Sequence, residues 1–259
     1  LAEWGVGGCL ADDMGLGKTV QSIAVMLLEA QKGPCLIIAP TSVCPNWEDE
    51  LNRFAPSLKT VRLKDALNRQ KVVKSMKAGM VLITGYGLLP RVQEMLASHT
   101  WEMVVFDEAQ ALKNSTTKRS RAAGSIRAKF HLALTGTPIE NRLEDLWSVF
   151  DIINPGLLGT LADFHRRFVG AEQGGAAAQA LKMLIRPFIL RRLKGQVLDD
   201  LPELTEQTII IEPTEKEAAF YESLRRRALE HVSDDSGQTK GQKRFNILKR
   251  IQKKNTQTN

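Results

Sequence analysis

The chain lacks most of what would tie it to an oxidising compartment, a metal centre or a bilayer. Its 259 residues include only three cysteines, Cys9, Cys35 and Cys44, and none stands at Cys-x-x-Cys spacing. That pattern argues against a zinc ribbon or a disulfide framework and favours buried thiols in a reducing compartment. The four histidines (His99, His131, His165, His231) are scattered, which makes a metal site improbable. No apolar run approaches the ~18 residues of a membrane span, so no membrane partner is expected. There is no recognisable signal peptide: the chain opens Leu-Ala-Glu-Trp, without Met or a basic leader, and we expect it to start inside a longer protein. Acidic residues are missing beyond Lys240, where Lys240, Lys243, Arg244, Lys249, Arg250, Lys253 and Lys254 carry the whole net charge of +7. The residues before them are neutral, so the pI of about 9.4 belongs to the tail. Global charge is therefore no argument for nucleic-acid binding, and any such surface has to be a local patch.

What is present is a 43% hydrophobic composition, enough for a sizeable core. Short apolar runs alternate with helical patterns, which predicts an α/β fold with a mainly parallel sheet. The predicted strands are Gly8–Ala11, Cys35–Ala39, Val61–Leu63, Met80–Thr84, Glu102–Phe106 and His131–Leu134. The predicted helices are Val20–Ala30, Pro45–Phe54, Ala66–Lys77, Leu88–Ser98, Thr116–Arg127 and Leu143–Ile153. After Asn154-Pro155-Gly156 the strand-like runs stop, and residues 157–200 read as helical. Glu206–Glu212 reads as one returning strand. Thr214–His231 reads as a helix opened by a Thr-x-x-Glu capping box at Thr214 and Glu217. The expected organisation is a nucleotide-binding body over 1–153, a helical protrusion over 154–203, a strand and helix over 204–232, and a basic, mobile or truncated tail over 233–259.

Two motifs carry chemistry. Asp12-Asp13-Met14-Gly15-Leu16-Gly17-Lys18-Thr19 is a glycine-rich turn between a strand and a helix. Such a turn brings backbone N–H groups and a helix N-terminus to phosphate oxygens. Lys18 can reach the β- and γ-phosphates of ATP, and the Thr19 hydroxyl can ligate Mg2+. The strict pattern would place Gly at position 12, where this chain has Asp12. Asp107-Glu108 ends the apolar run Val104-Val105-Phe106, at the strand tip where sites of open parallel sheets lie. Asp107 can hold Mg2+ through water, and Glu108 can orient and deprotonate an attacking water. Each motif alone has an ordinary structural reading, as a glycine turn capping a helix or as a surface acidic pair. Together, each behind a strand, they read as one triphosphate–magnesium site.

The order of these and further motifs resembles the first RecA-like motor lobe of Swi/Snf-type ATPases, in the DEAD/H-box-like helicase superfamily, with wording nearest the bacterial branch. Asp13–Gln21 resembles motif I and Ile38–Trp47 motif Ia. Ile83–Tyr86 resembles the next DNA-contacting motif. Asp107–Gln110 resembles motif II, Leu134–Asn141 motif III, and Phe188–Lys194 the family's Arg-Arg segment. The resemblance covers about residues 1–230. It implies a RecA-like P-loop lobe that binds ATP, a function in translocation along duplex DNA and remodelling of protein–DNA complexes, and DNA-bound proteins as possible partners. It adds Gln110, Thr135 and Gly136 to the nucleotide side. Pro40, Thr41, Ser42, Gly85, Tyr86, Lys113, Thr137, Arg191 and Arg192 are the implied duplex contacts, directed at backbone phosphates. Trp47 could stack on nucleic acid or pack in the core. Lys113, Lys118, Arg119 and Arg121 could be a DNA patch or a solvated helix face. Gln110 stands where many relatives have His, so an amide would have to make that residue's link to motif III. The arginine fingers of the family sit in a second RecA-like lobe that nothing after Leu201 resembles, so these residues alone are expected to hydrolyse ATP poorly. The rival readings are a non-catalytic nucleic-acid or partner-binding module that keeps the fold, and a strand-separating helicase of the same superfamily. The compartment would be the cytoplasm and nucleoid of a bacterium, or the nucleus of a eukaryote.

Overall fold

The computed structural model describes residues 1–136, 143–168, 175–197, 214, 217–223 and 225–226. Seven strands form one sheet: β1 (Gly8–Leu10), β2 (Cys35–Ala39), β3 (Lys59–Arg62), β4 (Met80–Gly85), β5 (Trp101–Phe106), β6 (Ala128–Leu134) and β7 (Ile189–Leu190). Their order is β3-β4-β2-β5-β6-β1-β7. Every pairing is parallel. All strand exits therefore lie at one end of the sheet, which is what positions the candidate site.

The strands alternate their apolar side chains between two faces, as the two-residue repeat of a strand requires. Cys35, Ile37, Ala39, Val81, Ile83, Met103 and Val105 pack on one face with Ile23 and Met26 of α1 (Lys18–Glu29) and Trp47 and Leu51 of α2 (Cys44–Phe54). Leu36, Ile38, Leu82, Val104 and Phe106 fill the other face. There they meet α3 (Arg69–Lys74), α4 (Leu89–Ala97), α5 (Lys118–Gly124) and α6 (Leu143–Ile153). Because both faces are covered, β2, β4 and β5 are buried throughout. Helix starts follow local chemistry. Pro45 and Pro90 sit in the first turns of α2 and α4. Asn68 and Thr117 cap α3 and α5 by accepting backbone N–H bonds from Lys71 and Ser120.

Ahead of β1 the chain is pinned from far away. Asn154 accepts from the Gly7 N–H at 2.8 Å and donates to its carbonyl at 2.9 Å. A Cβ on Gly7 would stand 2.1 Å from the Ile153 carbonyl oxygen, so no other residue fits that approach. Beyond α6 come α7 (Leu161–Phe168) and α8 (Ala176–Ile185), whose Phe164, Phe168, Leu181 and Ile185 join the core of the α6 face.

The expectation that residues 157–200 hold no strand is corrected here: Ile189-Leu190 is β7, on the outer edge beside β1, followed by α9 (Lys194–Val197). Two residues are too short to show any periodicity, and only pairing with Cys9 and Leu10 defines them as a strand. Contacts divide the chain into Leu1–Leu201 and Pro202–Asn259. Within the second unit, the Thr214 amide and hydroxyl both donate to Glu217, at 2.9 and 2.8 Å, ahead of a helical stretch at 217–223. This is the capping box. The expected strand at 206–212, residues 215–216, 224 and 227–231 of the expected helix, and the tail at 233–259 lie outside the described residues. Among the described residues no helix is long and apolar enough to cross a membrane.

Candidate nucleotide site

β1 ends at Leu10 and the chain turns through residues 12–17 into α1. Gly15 (φ 87°) and Gly17 (φ 75°) adopt left-handed backbone. Nothing lies within 4 Å of a Cβ built on Gly17, so conformation rather than space calls for glycine there. Lys18 opens α1, and its ammonium donates to the carbonyls of Asp12 at 2.7 Å and Asp13 at 3.2 Å. These are neutral acceptors, and charged phosphate oxygens make stronger partners for an ammonium. Met14 is exposed and touches the exit of β6, where a Cβ on Gly136 would stand 3.2 Å from its Cγ.

β1 and β5 are the two neighbours of β6, pairing Leu10 with Leu134 and Phe106 with Ala133. Their tips therefore stand two strand spacings apart, roughly 10 Å, at the same end of the sheet. Asp107 follows β5 at this end of the sheet, and its N–H donates to the Ile38 carbonyl of β2 at 2.8 Å. Its Oδ2 accepts from the indole Nε1 of Trp47 at 2.8 Å, and its Oδ1 from the Glu108 N–H at 2.9 Å. Burial pushes the Asp107 carboxyl above its ordinary pKa. The Trp47 bond and the nearby charge of Lys18 pull the other way, while the Glu108 charge adds to the rise.

Glu108 is the only non-glycine residue with positive φ (50°) among those described. Backbone in this region is costly for a side chain and is concentrated at functional sites. The Gln110 amide donates to Glu108 Oε2 at 2.5 Å and accepts from the Thr135 hydroxyl at 3.1 Å. A glutamine thereby joins the acidic pair to the end of β6. Three or more His, Cys, Asp or Glu residues that could hold a metal by themselves do not occur together among the described residues. Magnesium nevertheless fits the donors at hand. It commonly takes one or two carboxylates, keeps several waters and completes its shell with phosphate oxygens, and here the donor set is the Asp107 carboxylate after β5 and the Thr19 hydroxyl in the first turn of α1. Cys9 and Cys35 are free and buried, and burial raises both thiols to about 12, so neither offers a thiolate to this site.

The implied DNA contacts fare unevenly. Thr41 and Ser42, after β2, are exposed and Pro40 is half-buried. Lys113 and Arg191 are exposed, as are Lys118, Arg119 and Arg121 on α5. Thr137 lies outside the described residues. Gly85 and Tyr86 are both buried. Gly85 is buried against Thr41, whose Oγ1 would stand 2.7 Å from an added Cβ. The Tyr86 N–H donates to the Ala39 carbonyl at 3.0 Å, and its ring is 3% exposed beneath the Arg119 guanidinium, so neither its amide nor its hydroxyl is offered to a partner in solution. Gly87, next in the chain, is the exposed residue of this turn. The Arg192 guanidinium is bonded within the protein. It donates to both carboxylate oxygens of Asp12 at 2.5–3.2 Å and to Gln21 at 2.7 Å. Trp47 is 1% exposed and cannot stack on nucleic acid.

The profile described as the SNF2-related domain matches residues 2–259. The chain belongs to this family. The SNF2-related domain described here is 44% identical over 249 residues to YwqA of Bacillus subtilis, whose provisional name is ATP-dependent helicase/translocase; the match covers 92% of this chain and 27% of that protein. It is 34% identical over 271 residues to the chromatin-remodeling ATPase INO80 of Arabidopsis thaliana, covering 95% of this chain and 18% of INO80. Among solved structures, the Sulfolobus solfataricus SWI2/SNF2 ATPase core in complex with dsDNA matches with a TM-score of 0.67 and 37% identity, over 97% of this chain and 54% of that one. The chain thus spans about a quarter or less of its curated relatives, and about half of the Sulfolobus core.

Two features of this SNF2-related domain escaped sequence reasoning. One is the bond from Trp47 to Asp107, across 60 positions. The other is the clamp of Arg192 on Asp12, across 180. Asp12 is fully buried, and its carboxylate also accepts the Arg192 N–H at 2.9 Å. Burial raises this carboxyl, but the bonds from Arg192 and Gln21 outweigh it and hold the pKa below the ordinary value. The departure from glycine at position 12 was the available signal: a side chain there needs a partner, though the sequence does not say which.

Proposed function

We propose that this SNF2-related domain is the ATP-binding first lobe of a DNA-dependent ATPase that translocates on duplex DNA and remodels protein–DNA complexes. The observation that carries the reading is the topology: the glycine turn that opens into Lys18 follows β1, Asp107 follows β5, and both strands flank β6 in one parallel sheet. Lys18 exchanges the two carbonyls it now holds for phosphate oxygens of ATP. Thr19 and Asp107 hold magnesium, which when bound neutralises charge on the phosphates. Glu108 accepts the proton of the attacking water. Gln110 keeps the Glu108 carboxylate oriented and ties it to Thr135, so the state of the nucleotide is felt at the end of β6. The nucleotide is also bordered by the backbone of residues 12–17 and by Gly136. Duplex phosphates meet Pro40, Thr41 and Ser42 and the exposed Lys113 and Arg191, contacts that suit a motor indifferent to sequence. In a cell, such a lobe works wherever the DNA is.

Calorimetric titration with ATP and magnesium tests the reading. The chain is expected to bind, and Lys18→Ala to weaken binding about tenfold or more, since a charge-assisted bond is worth about 1.5–3 kcal/mol. A wild-type chain that binds no nucleotide refutes the ATPase reading and favours a nucleic-acid or partner-binding module that keeps the fold.

A further inference from the structure

The end of β7 and the segment after it lean on the exit of β1 and the start of the glycine turn at four points. The Ala11 N–H donates to the Leu190 carbonyl at 2.7 Å, and the Asp13 N–H to that of Arg192 at 3.0 Å. The Arg192 guanidinium grips the buried Asp12 carboxylate, and the Lys194 N–H donates to Asp13 Oδ2 at 3.1 Å. Residues 190–194 and 11–13 are thereby zipped side by side although nearly the whole domain separates them in sequence.

This zipper lays the Lys194 side chain across the glycine turn. A Cβ built on Gly15 would stand 3.4 Å from Lys194 Cε and 3.5 Å from its ammonium nitrogen. The backbone of Lys194 is fixed by Asp13, itself part of the turn, and Lys194 opens α9. The ammonium therefore hangs over the same short loop whose other cation, Lys18, is bound to its carbonyls. A triphosphate entering this loop carries more negative charge than Lys18 balances, and an exposed ammonium above Gly15 is placed to meet it.

We propose that Lys194 is a second phosphate-binding cation of this site, delivered by the chain that returns from α8 and kept over Gly15 by the clamp of Arg192 on Asp12. Arg192 acts as a positioning residue and Lys194 touches the nucleotide. The proposal rests on the ATP-binding reading above. It makes one face of the pocket depend on a segment that reaches the turn only after α7 and α8, so displacement of those helices changes the hold on the phosphates.

The test is titration of the 259-residue chain, its Lys194→Gln variant and its Lys194→Arg variant with ATPγS and magnesium, alongside titration with duplex DNA. Lys194 is exposed, so neither change threatens folding. Lys194→Gln is expected to weaken ATPγS binding about tenfold, and Lys194→Arg to restore most of it, because the charge and not the packing is what binds. Wild-type binding with an unchanged Lys194→Gln constant overturns the proposal, and so does a loss confined to duplex DNA. If the wild-type chain does not bind ATPγS, the ATPase reading falls and this one with it, an outcome distinguishable from failure of Lys194 alone.

Discussion

Trp47→Phe isolates a single hydrogen bond at the candidate metal end of the site. The variant keeps an aromatic ring in the core under α2 but deletes the indole N–H that reaches Asp107 Oδ2 at 2.8 Å. Two costs arise. A hydrogen bond to a charged group contributes about 1.5–3 kcal/mol. Shrinking a side chain that is 1% exposed leaves a cavity costing about 1–3 kcal/mol more, depending on how far the site collapses. They separate by pH. Asp107 already has a raised pKa in the fold, so between its ordinary and folded values the native state holds more protons than the unfolded chain, and stability falls as pH rises through that window. Trp47 favours the charged carboxylate, so its removal raises the folded pKa further and extends the window upward. The Trp47→Phe penalty should be largest at neutral pH and shrink to the cavity cost below the ordinary carboxylate value. Urea unfolding followed by circular dichroism at pH 7 and near pH 3.5 measures both. The same substitution in an Asp107→Ala background completes a double-mutant cycle, in which Trp47→Phe is expected to cost less. An equal penalty at both pH values and in both backgrounds would refute the view that Trp47 positions this carboxylate. Magnesium-dependent nucleotide binding should weaken in parallel, because the Asp107 side chain loses its fixed orientation.

Two further outcomes are expected. Arg192→Ala removes the guanidinium from the buried Asp12 carboxylate, so its urea midpoint should fall at neutral pH. The lowered pKa of Asp12 means that its contribution is present above the ordinary carboxylate value and is lost as pH falls through the folded one, so the gap between wild type and variant should close in acid; a gap independent of pH contradicts the clamp. In steady-state assays, residues 1–259 alone should turn over ATP slowly with or without duplex DNA, since they span only about half of the Sulfolobus ATPase core and arginines delivered from a separate body accelerate comparable reactions by about 10³–10⁵-fold; brisk DNA-stimulated hydrolysis by this chain alone overturns that expectation.

Much of the body was legible because its signals are local. Cys35–Ala39 and residues 80–83 are continuous apolar runs of the length expected for a strand covered on both faces. Helix α2 announces itself by Pro45 and by Trp47 and Leu51 one turn apart. The predicted helix at 66–77 shrinks to Arg69–Lys74, because Leu63–Asp65 closes as a separate 3-10 turn and Asn68 then caps the helix. The DNA side was less legible. Gly85 ends β4 and Tyr86 follows it, but Thr41 and Arg119 cover them from elsewhere in the fold.

The sequence by itself determined the parallel α/β architecture, the left-handed glycines before Lys18 and the placing of Asp107 at a strand exit, because each depends on residues within a few positions of one another. The tertiary structure alone decided that β1 and β5 flank β6, that Trp47 holds Asp107, and that β7 returns to lock Asp12 with Arg192 and lay Lys194 over Gly15. Those partners lie 60 to 180 positions apart. A backbone period fixes which way a side chain points, but which distant chain it meets is set by the order in which the strands pack.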